Sequence, residues 1–327
     1  MAEPSRPSPL TAWAITTGEA GMRTQARGLA AAVAETVVEK VVALRWPQRW
    51  LPAGWPGVLS GIDAAKGDDI RPPWPELIVT CGRRSAIVGL AVKRASGGRA
   101  ALVHVQDPRA PLAGFDLVIA MAHDEIAGPK VVKVLTAMHD ITPERLSQAA
   151  GAWRERLARL PRPLTAVLLG GPTSNSPFGD AEARELQRRL GALRARNGGG
   201  LVVVPSRRTP EAALAVFRDA GRADPSAWVW DRSGDNPYLG ALALADRLVV
   251  TGDSVSMVSE ALATPHPVEV FALNLRRRHE GFAQTLAERG VIGLLQDGVE
   301  APSHPPLDAT VEAAAAVRAM LARRSAG

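Results

Sequence analysis

The chain has 327 residues, 46% hydrophobic and 22% charged, with a net charge of +6 from 39 lysines and arginines against 33 acidic residues. At about 150 residues per domain this length predicts two domains, and the apolar content excludes wholesale disorder. A single cysteine, Cys81, excludes a disulfide framework, an all-cysteine zinc site and an iron–sulfur cluster, and fits a reducing compartment.

The positive charge suits an anionic partner: a nucleotide, a sugar phosphate or an anionic membrane face. Nucleic acid is not expected, because aromatics are only 4% and no run of five basic residues occurs. The opening Met1–Pro9 segment, rich in proline and serine, has no apolar core of a secretion signal. No apolar stretch reaches the roughly 18 residues that span a bilayer. A cytoplasmic chain, peripheral on the inner face of a membrane, is the expectation.

From there the rhythm is a short apolar run, a Gly- or Ser-rich loop, then an amphipathic segment, which reads as alternating strands and helices of a parallel sheet. The first half gives strands over Ala12–Thr16, Val41–Leu44, Leu77–Cys81, Ala101–Val105, Leu117–Ala120 and Val131–Leu135, with helices over Thr24–Thr36 and Ser85–Ala95. Arg45–Pro75 interrupts the rhythm, and its Trp46, Trp50 and Trp55 interleave with Arg45 and Arg49 in a way that suits an anionic membrane surface or plain loop packing. A helix is predicted from Pro143 to about Leu160 with Thr142 as its cap, ended by Pro161-Arg162-Pro163. The second half repeats the pattern. Strands fall at Thr165–Leu169, Leu201–Pro205, Ala227–Trp230, Arg247–Thr251 and Val268–Phe271, and helices at Asp180–Arg196, Glu211–Ala220, Pro237–Ala245, Ser254–Ala263 and Asp308–Arg324.

The fold class is therefore α/β: two doubly wound, Rossmann-like parallel sheets facing a cleft. The expected domains are 1–160 on the acceptor side and 161–327 on the donor side, with the last helix packing back on the first domain. Ligands of such sheets bind beyond the carboxyl ends of the strands, so the informative residues lie in the strand-end loops.

In the first half, Gly18-Glu19-Ala20-Gly21 follows a strand and places a carboxylate, Glu19, where a general base could act. It lacks the Gly-x-Gly-x-x-Gly of a dinucleotide site. Cys81-Gly82-Arg83-Arg84 puts two guanidinium groups at another strand end. In the second half, Gly170-Gly171-Pro172-Thr173-Ser174 supplies close backbone approach and donors, and Arg207-Arg208 suits bidentate phosphate binding. Thr209 and Pro210 read as the cap and first residue of the next helix. Asn236 could bond a base or sugar, or cap a helix. The strongest signal is Leu248–Ala261: an apolar strand enters Gly252-Asp253-Ser254 and opens into a helix carrying Ser256 and Glu260. Such a helix start offers unpaired N–H groups and a positive dipole end to a phosphate, although Ser254 equally suits a simple cap. No zinc-binding spacing and no Asp-x-Asp pair occurs, so no metal site is expected and arginines with helix ends must neutralise a bound phosphate.

These loops together resemble the plant elongated-mitochondria fission factor family and its bacterial homologues, described as glycosyltransferases. The similarity rests on Thr17–Gly21 with Gln25, Gly170–Asn175, Ser206–Thr209, Asp235–Tyr238 and Thr251–Ala261. It implies a GT-B-like fold and a nucleotide-sugar substrate with no cofactor. The donor site would comprise Gly170, Gly171, Ser174, Arg207, Arg208, Asn236, Gly252, Asp253, Ser254, Ser256 and Glu260, and the acceptor side Gly18, Gly21, Arg83 and Arg84. A Gly-Glu turn similar to Gly18-Glu19 occurs in the Kdo transferases, where the glutamate is the base; that likeness implies the same role for Glu19. A lipid-linked acceptor at the membrane surface is implied more loosely. The plant branch recruits a dynamin-related protein, so a non-catalytic adaptor is the alternative reading, and a sugar-nucleotide epimerase a third.

Overall fold

The computed structural model describes residues 9–46, 57–172, 177–273, 277–295 and 301–326. Among them the chain runs β1 (Thr11–Thr16), α1 (Ala20–Val33), β2 (Thr36–Val41), β3 (Leu77–Cys81), α2 (Arg83–Ala95), β4 (Ala101–Val105), β5 (Leu117–Met121) and β6 (Val131–Val134). It continues with α3 (Pro143–Leu157), β7 (Leu164–Leu169), α4 (Asp180–Asn197), β8 (Gly200–Pro205), α5 (Glu211–Arg222), β9 (Ala227–Val229), α6 (Tyr238–Leu244) and β10 (Arg247–Thr251). The last elements are α7 (Val255–Leu262), β11 (Val268–Phe271), α8 (Arg277–Glu288), β12 (Gly293–Leu294) and α9 (Ala309–Ala326).

The chain divides into two compact units. The first comprises Met1–Asp140 with Asp308–Gly327, and the second Ile141–Leu307. Each holds one six-stranded parallel sheet, ordered β2-β1-β3-β4-β5-β6 in the first and β12-β11-β10-β7-β8-β9 in the second. The strands are apolar because both faces of a parallel sheet are covered. Along β3, alternate residues point to opposite faces. Leu77, Val79 and Cys81 pack with Ala26, Leu29 and Ala30 of α1 and with Ala313, Ala314 and Val317 of α9. Ile78 packs on the other face with Ala86, Ile87 and Val88 of α2. In the second unit Val167, Leu169, Val203 and Val249 join Leu186, Leu190 and Phe217 from α4 and α5 in one core.

The units meet in sequence at residue 140, not near 160, because α3 belongs with the second. Its Trp153 lies against Gly240 of α6, where a Cβ would stand 2.4 Å from the indole Cγ. Trp153 also packs on Trp228, with ring centroids 5.9 Å apart. The C-terminal helix α9 returns to the first unit, where Arg324 pairs with Asp116 at 2.7 Å and Thr310 accepts from the His139 N–H at 3.0 Å.

Several elements differ from the sequence reading. α1 begins four residues earlier, since Gly18 turns the chain with φ of 99° directly after β1. The strand expected at Val41–Leu44 lies at Thr36–Val41, where the β-branched Thr36-Val37-Val38 run pairs with β1. α8 and β12 have no counterpart in that reading; Phe282, Ala283 and Leu286 are the buried apolar residues of α8, too short a stripe to show as a period.

Candidate functional site

In both sheets the crossovers leave in opposite directions from two adjacent central strands. These are β1 and β3 in the first unit, and β7 and β10 in the second. A crevice at the carboxyl ends of such strands is the usual place for a ligand of an open α/β sheet. The loops singled out in the sequence sit there: Gly18-Glu19 after β1, Gly82-Arg83-Arg84 after β3, Gly170-Gly171 after β7 and Gly252-Asp253-Ser254 after β10.

In the second unit the crevice is organised around Asp253. Its side chain is 0% exposed. Oδ2 accepts from the Gly171 N–H at 2.9 Å and from Arg208 Nη2 at 3.0 Å. Oδ1 accepts from the Thr251 hydroxyl at 2.7 Å, and Thr251 Oγ1 in turn accepts from the Gly170 N–H at 2.7 Å. A Cβ on Gly170 would stand 2.2 Å from Oδ2, and one on Gly171 would stand 2.2 Å from the Arg208 carbonyl oxygen. The glycine pair is thus required by the protein's own carboxylate and backbone. Arg208, expected to flank a diphosphate, is the partner of this buried acid. Asp253, expected among the donor-binding residues, locks the three loops to one another.

Further bonds hold the same edge. The Thr209 hydroxyl, expected to cap α5, donates instead to the Leu169 and Gly170 carbonyls, at 2.9 and 2.5 Å, and accepts from the Ser206 N–H at 3.0 Å. The α5 cap position is taken by Pro210. Arg232, in the left-handed region at φ of 71°, donates to the Ser206 carbonyl at 3.0 Å and also to the Thr209 carbonyl. Thr251, Arg232 and Tyr238 were absent from the sequence candidates. Each bonds to a partner remote in sequence; Thr251 and Tyr238 lie in segments that the resemblance marked, but nothing local pointed to their bonds.

What remains for a ligand is the first turn of α7 with Arg207. Ser254 Oγ accepts from the Met257 N–H at 3.4 Å and the Ser254 carbonyl accepts from the Val258 N–H at 3.1 Å. Helix geometry leaves the Val255 and Ser256 N–H groups without an acceptor inside the helix. Residues Ser254 to Met257 are partly exposed, and no acid stands in this turn. Arg207 is exposed, as is Arg208, but among the described residues Arg207 makes no ion pair, whereas Arg208 is paired with Asp253. Asn236 is exposed and its Oδ1 accepts from the Tyr238 N–H at 3.0 Å, starting α6. The Tyr238 hydroxyl donates to the Glu260 carboxylate, tying α6 to α7. Ser174 lies outside the described residues.

In the first unit, Gly82 turns with φ of 93° and touches α1: a Cβ there would meet Met22 Sδ at 2.6 Å. Arg83 and Arg84 are exposed at the first two positions of α2, while Ser85 Oγ donates to the Cys81 carbonyl at 2.6 Å. Glu19 is exposed at the cap position of α1, and its Oε2 accepts from the Thr17 hydroxyl at 2.6 Å. Gly21 lies in the first turn of α1. No group of three or more His, Cys, Asp or Glu side chains is placed to hold a metal ion among the described residues. None of the described helices is long and apolar enough to cross a membrane. Trp46 is 74% exposed, and Trp50 and Trp55 lie outside the described residues.

Comparison with solved structures agrees with this architecture. A UDP-GlcNAc 2-epimerase from Neisseria meningitidis, solved bound to UDP-GlcNAc, superimposes with a TM-score of 0.55 over 96% of this chain and 99% of its own, at 12% identity. The spinosyn forosaminyltransferase SpnP gives 0.50 over 98% of this chain and 92% of its own, at 13% identity. At such identities the likeness establishes the fold, a GT-B-like pair of α/β units. Sequence reaches further. The mitochondrial fission protein ELM1 of Arabidopsis thaliana is 32% identical over 277 residues, 76% of this chain; the match spans 65% of the plant protein's length. The profile described as "Mitochondrial fission ELM1" matches residues 20–321, so the chain is a member of the mitochondrial fission ELM1 family.

Proposed function

We propose that the chain binds a nucleoside diphosphate sugar in its second unit and transfers the sugar without a metal ion. The observation that carries this is the open first turn of α7 at the β7/β10 switch point, with exposed Arg207 on the neighbouring strand end. The N–H and hydroxyl groups of Ser254 and Ser256 would face the diphosphate, with Arg207 as countercharge; Gly252, expected to join them, is buried with its N–H donated to the Phe271 carbonyl at 3.0 Å, and serves the turn instead. Glu260, oriented by Tyr238, and Asn236 would take the ribose and base. Asp253, Arg208, Gly170 and Gly171 would hold the loops in shape. Glu19 would take the proton of the acceptor hydroxyl as the glycosidic bond to the nucleotide breaks. Gly18 and Gly21 give its turn the close approach that an acceptor needs. The epimerase of the same fold, solved with UDP-GlcNAc, supports the ligand class.

Calorimetry with UDP, UDP-GlcNAc and the GDP, CMP and dTDP sugars tests the reading. One of them is expected to bind, and at a hundred times its Kd to stabilise the protein by about 2.7 kcal/mol. Arg207→Ala should then weaken binding about 10- to 100-fold, the worth of a charged hydrogen bond of about 1.5–3 kcal/mol. Glu19→Gln should lower turnover about 10²- to 10⁴-fold and leave nucleotide affinity alone. Absence of binding across the series would reject the transferase.

One observation favours a second reading, a binding protein that keeps the fold without transfer. The carboxylate of Asp253 already occupies the Arg208 guanidinium and the Gly171 N–H, two donors that an anionic ligand would otherwise engage. On that reading Glu19→Gln leaves every function of the protein intact, while nucleotides fail to bind.

A further inference from the structure

The carboxyl edge of the first sheet carries positive charge that the fold does not use. Arg83 and Arg84 occupy the first turn of α2, which holds no acid, and a cation there opposes the helix dipole. Arg109 stands at the end of the adjacent strand β4, in the left-handed region at φ of 50°. All three are exposed, and among the described residues none pairs with a carboxylate. Two acids of the strand-end loops are otherwise engaged: Asp107 accepts from the Arg109 backbone N–H at 2.8 Å and Glu19 from the Thr17 hydroxyl. Arg23, by contrast, pairs with Glu39 at 2.8 Å.

An independent observation points to a ligand at the same edge. Gln25 of α1 is 3% exposed, yet its Oε1 accepts no hydrogen bond among the described residues. A buried amide oxygen without a donor is costly. Gln25 lies one turn beyond Met22 on the same helix face, and Met22 rests on Gly82 at the start of α2. Helical side chains lean toward the N-terminus, and the N-terminus of α1 follows directly on β1.

We propose that this edge binds a phosphorylated polyol: the phosphoryl group on Arg83, Arg84, Arg109 and the first-turn N–H groups of α2, and a hydroxyl of the same molecule donating to Gln25. This names the acceptor class of the transfer proposed above and rests on that reading for the ligand's role, though not for its binding. A soluble sugar phosphate and a phospholipid headgroup share the chemistry.

The test uses the full chain saturated with UDP, so that any site on α7 is filled. Glycerol 3-phosphate is titrated against glycerol, and vesicles of phosphatidylglycerol against vesicles of phosphatidylcholine. Binding of glycerol 3-phosphate or of phosphatidylglycerol vesicles, without binding of the matched control, is expected, and whichever binds identifies the source. The double variant Arg83→Ala/Arg84→Ala should weaken that binding at least 10-fold, leave UDP affinity unchanged and keep the thermal midpoint at or above that of the parent. Gln25→Leu should weaken glycerol 3-phosphate while leaving inorganic phosphate unaffected. Absence of binding to both phosphate probes, or unchanged binding by the double variant, overturns the proposal. If UDP fails to bind while the phosphate probes bind through Arg83 and Arg84, the donor reading falls and this site stands.

Discussion

Replacing Asp253 by alanine is expected to lower the unfolding free energy of the second unit by about 3–5 kcal/mol, the cost of breaking a buried ion pair on one side. The carboxylate is fully buried and serves three donors from three segments: the Gly171 N–H, the Thr251 hydroxyl and Arg208. Its removal strands the Gly171 N–H in the interior and opens a void against Gly170, whose Cα was shaped to its oxygens. Arg208→Ala should cost less, about 1–3 kcal/mol, because that side chain is 48% exposed and the acid keeps its other two donors. Denaturant unfolding, with exchange of the β7 and β10 amides as the local readout, measures both. The same variant should weaken nucleotide binding, since the loops lose their register. A loss under about 1 kcal/mol for Asp253→Ala would mean that the loops hold without the carboxylate.

Acidification is expected to destabilise the first unit through His104. The ring is 0% exposed in the middle of β4, against Phe115 at 5.6 Å between centroids, and burial pushes its pKa from 6.5 down to about 3. Thr80 donates to the Val103 carbonyl at 3.3 Å, so the network assigns the proton to Nδ1, donated to Thr80 Oγ1 at 2.7 Å. Nε2 is buried with no partner among the described residues. Below pH 6.5 the unfolded chain takes up a proton that the native state refuses until about pH 3. Stability is therefore unaffected by this group above pH 6.5 and falls as pH drops, by about 1.4 kcal/mol per unit, to a total of about 5 kcal/mol at pH 3. Urea unfolding at pH 7, 5.5 and 4.5 should show that slope, and His104→Leu should flatten it. Equal slopes in the two proteins would remove His104 as the cause.

How far the sequence carried is clearest element by element. β10 and β11 lie at Arg247–Thr251 and Val268–Phe271, as their apolar runs between polar turns indicate. Thr142 caps α3 as read, accepting from the Arg145 N–H at 3.3 Å, with Pro143 inside the first turn. Of the loops that the resemblance marked, Thr17–Gly21 follows β1, Gly170-Gly171 follows β7 and Gly252–Ser254 follows β10, all switch-point strands, while Ser206–Thr209 and Asp235–Tyr238 follow β8 and β9. The failures share one cause. Thr209 reads locally as a cap, yet its hydroxyl spends its bonds on the end of β7, some 40 residues away. α3 reads as the close of the first domain, yet the fit of Trp153 on Gly240 binds it to the second unit.

The amino-acid sequence alone determined the alternation of strands and helices and the turns at Gly18 and Gly82, because these depend on backbone preference and side-chain periodicity over a few residues; the family was legible separately, in the resemblance of the loop motifs. Only the tertiary structure decided what the site residues do. Arg207 and Arg208 are chemically identical neighbours, and nothing within several residues of either distinguishes them. Both are exposed, but one is fixed to Asp253, 45 positions on, and the other is not, because a buried carboxylate must find its donors wherever the fold brings them.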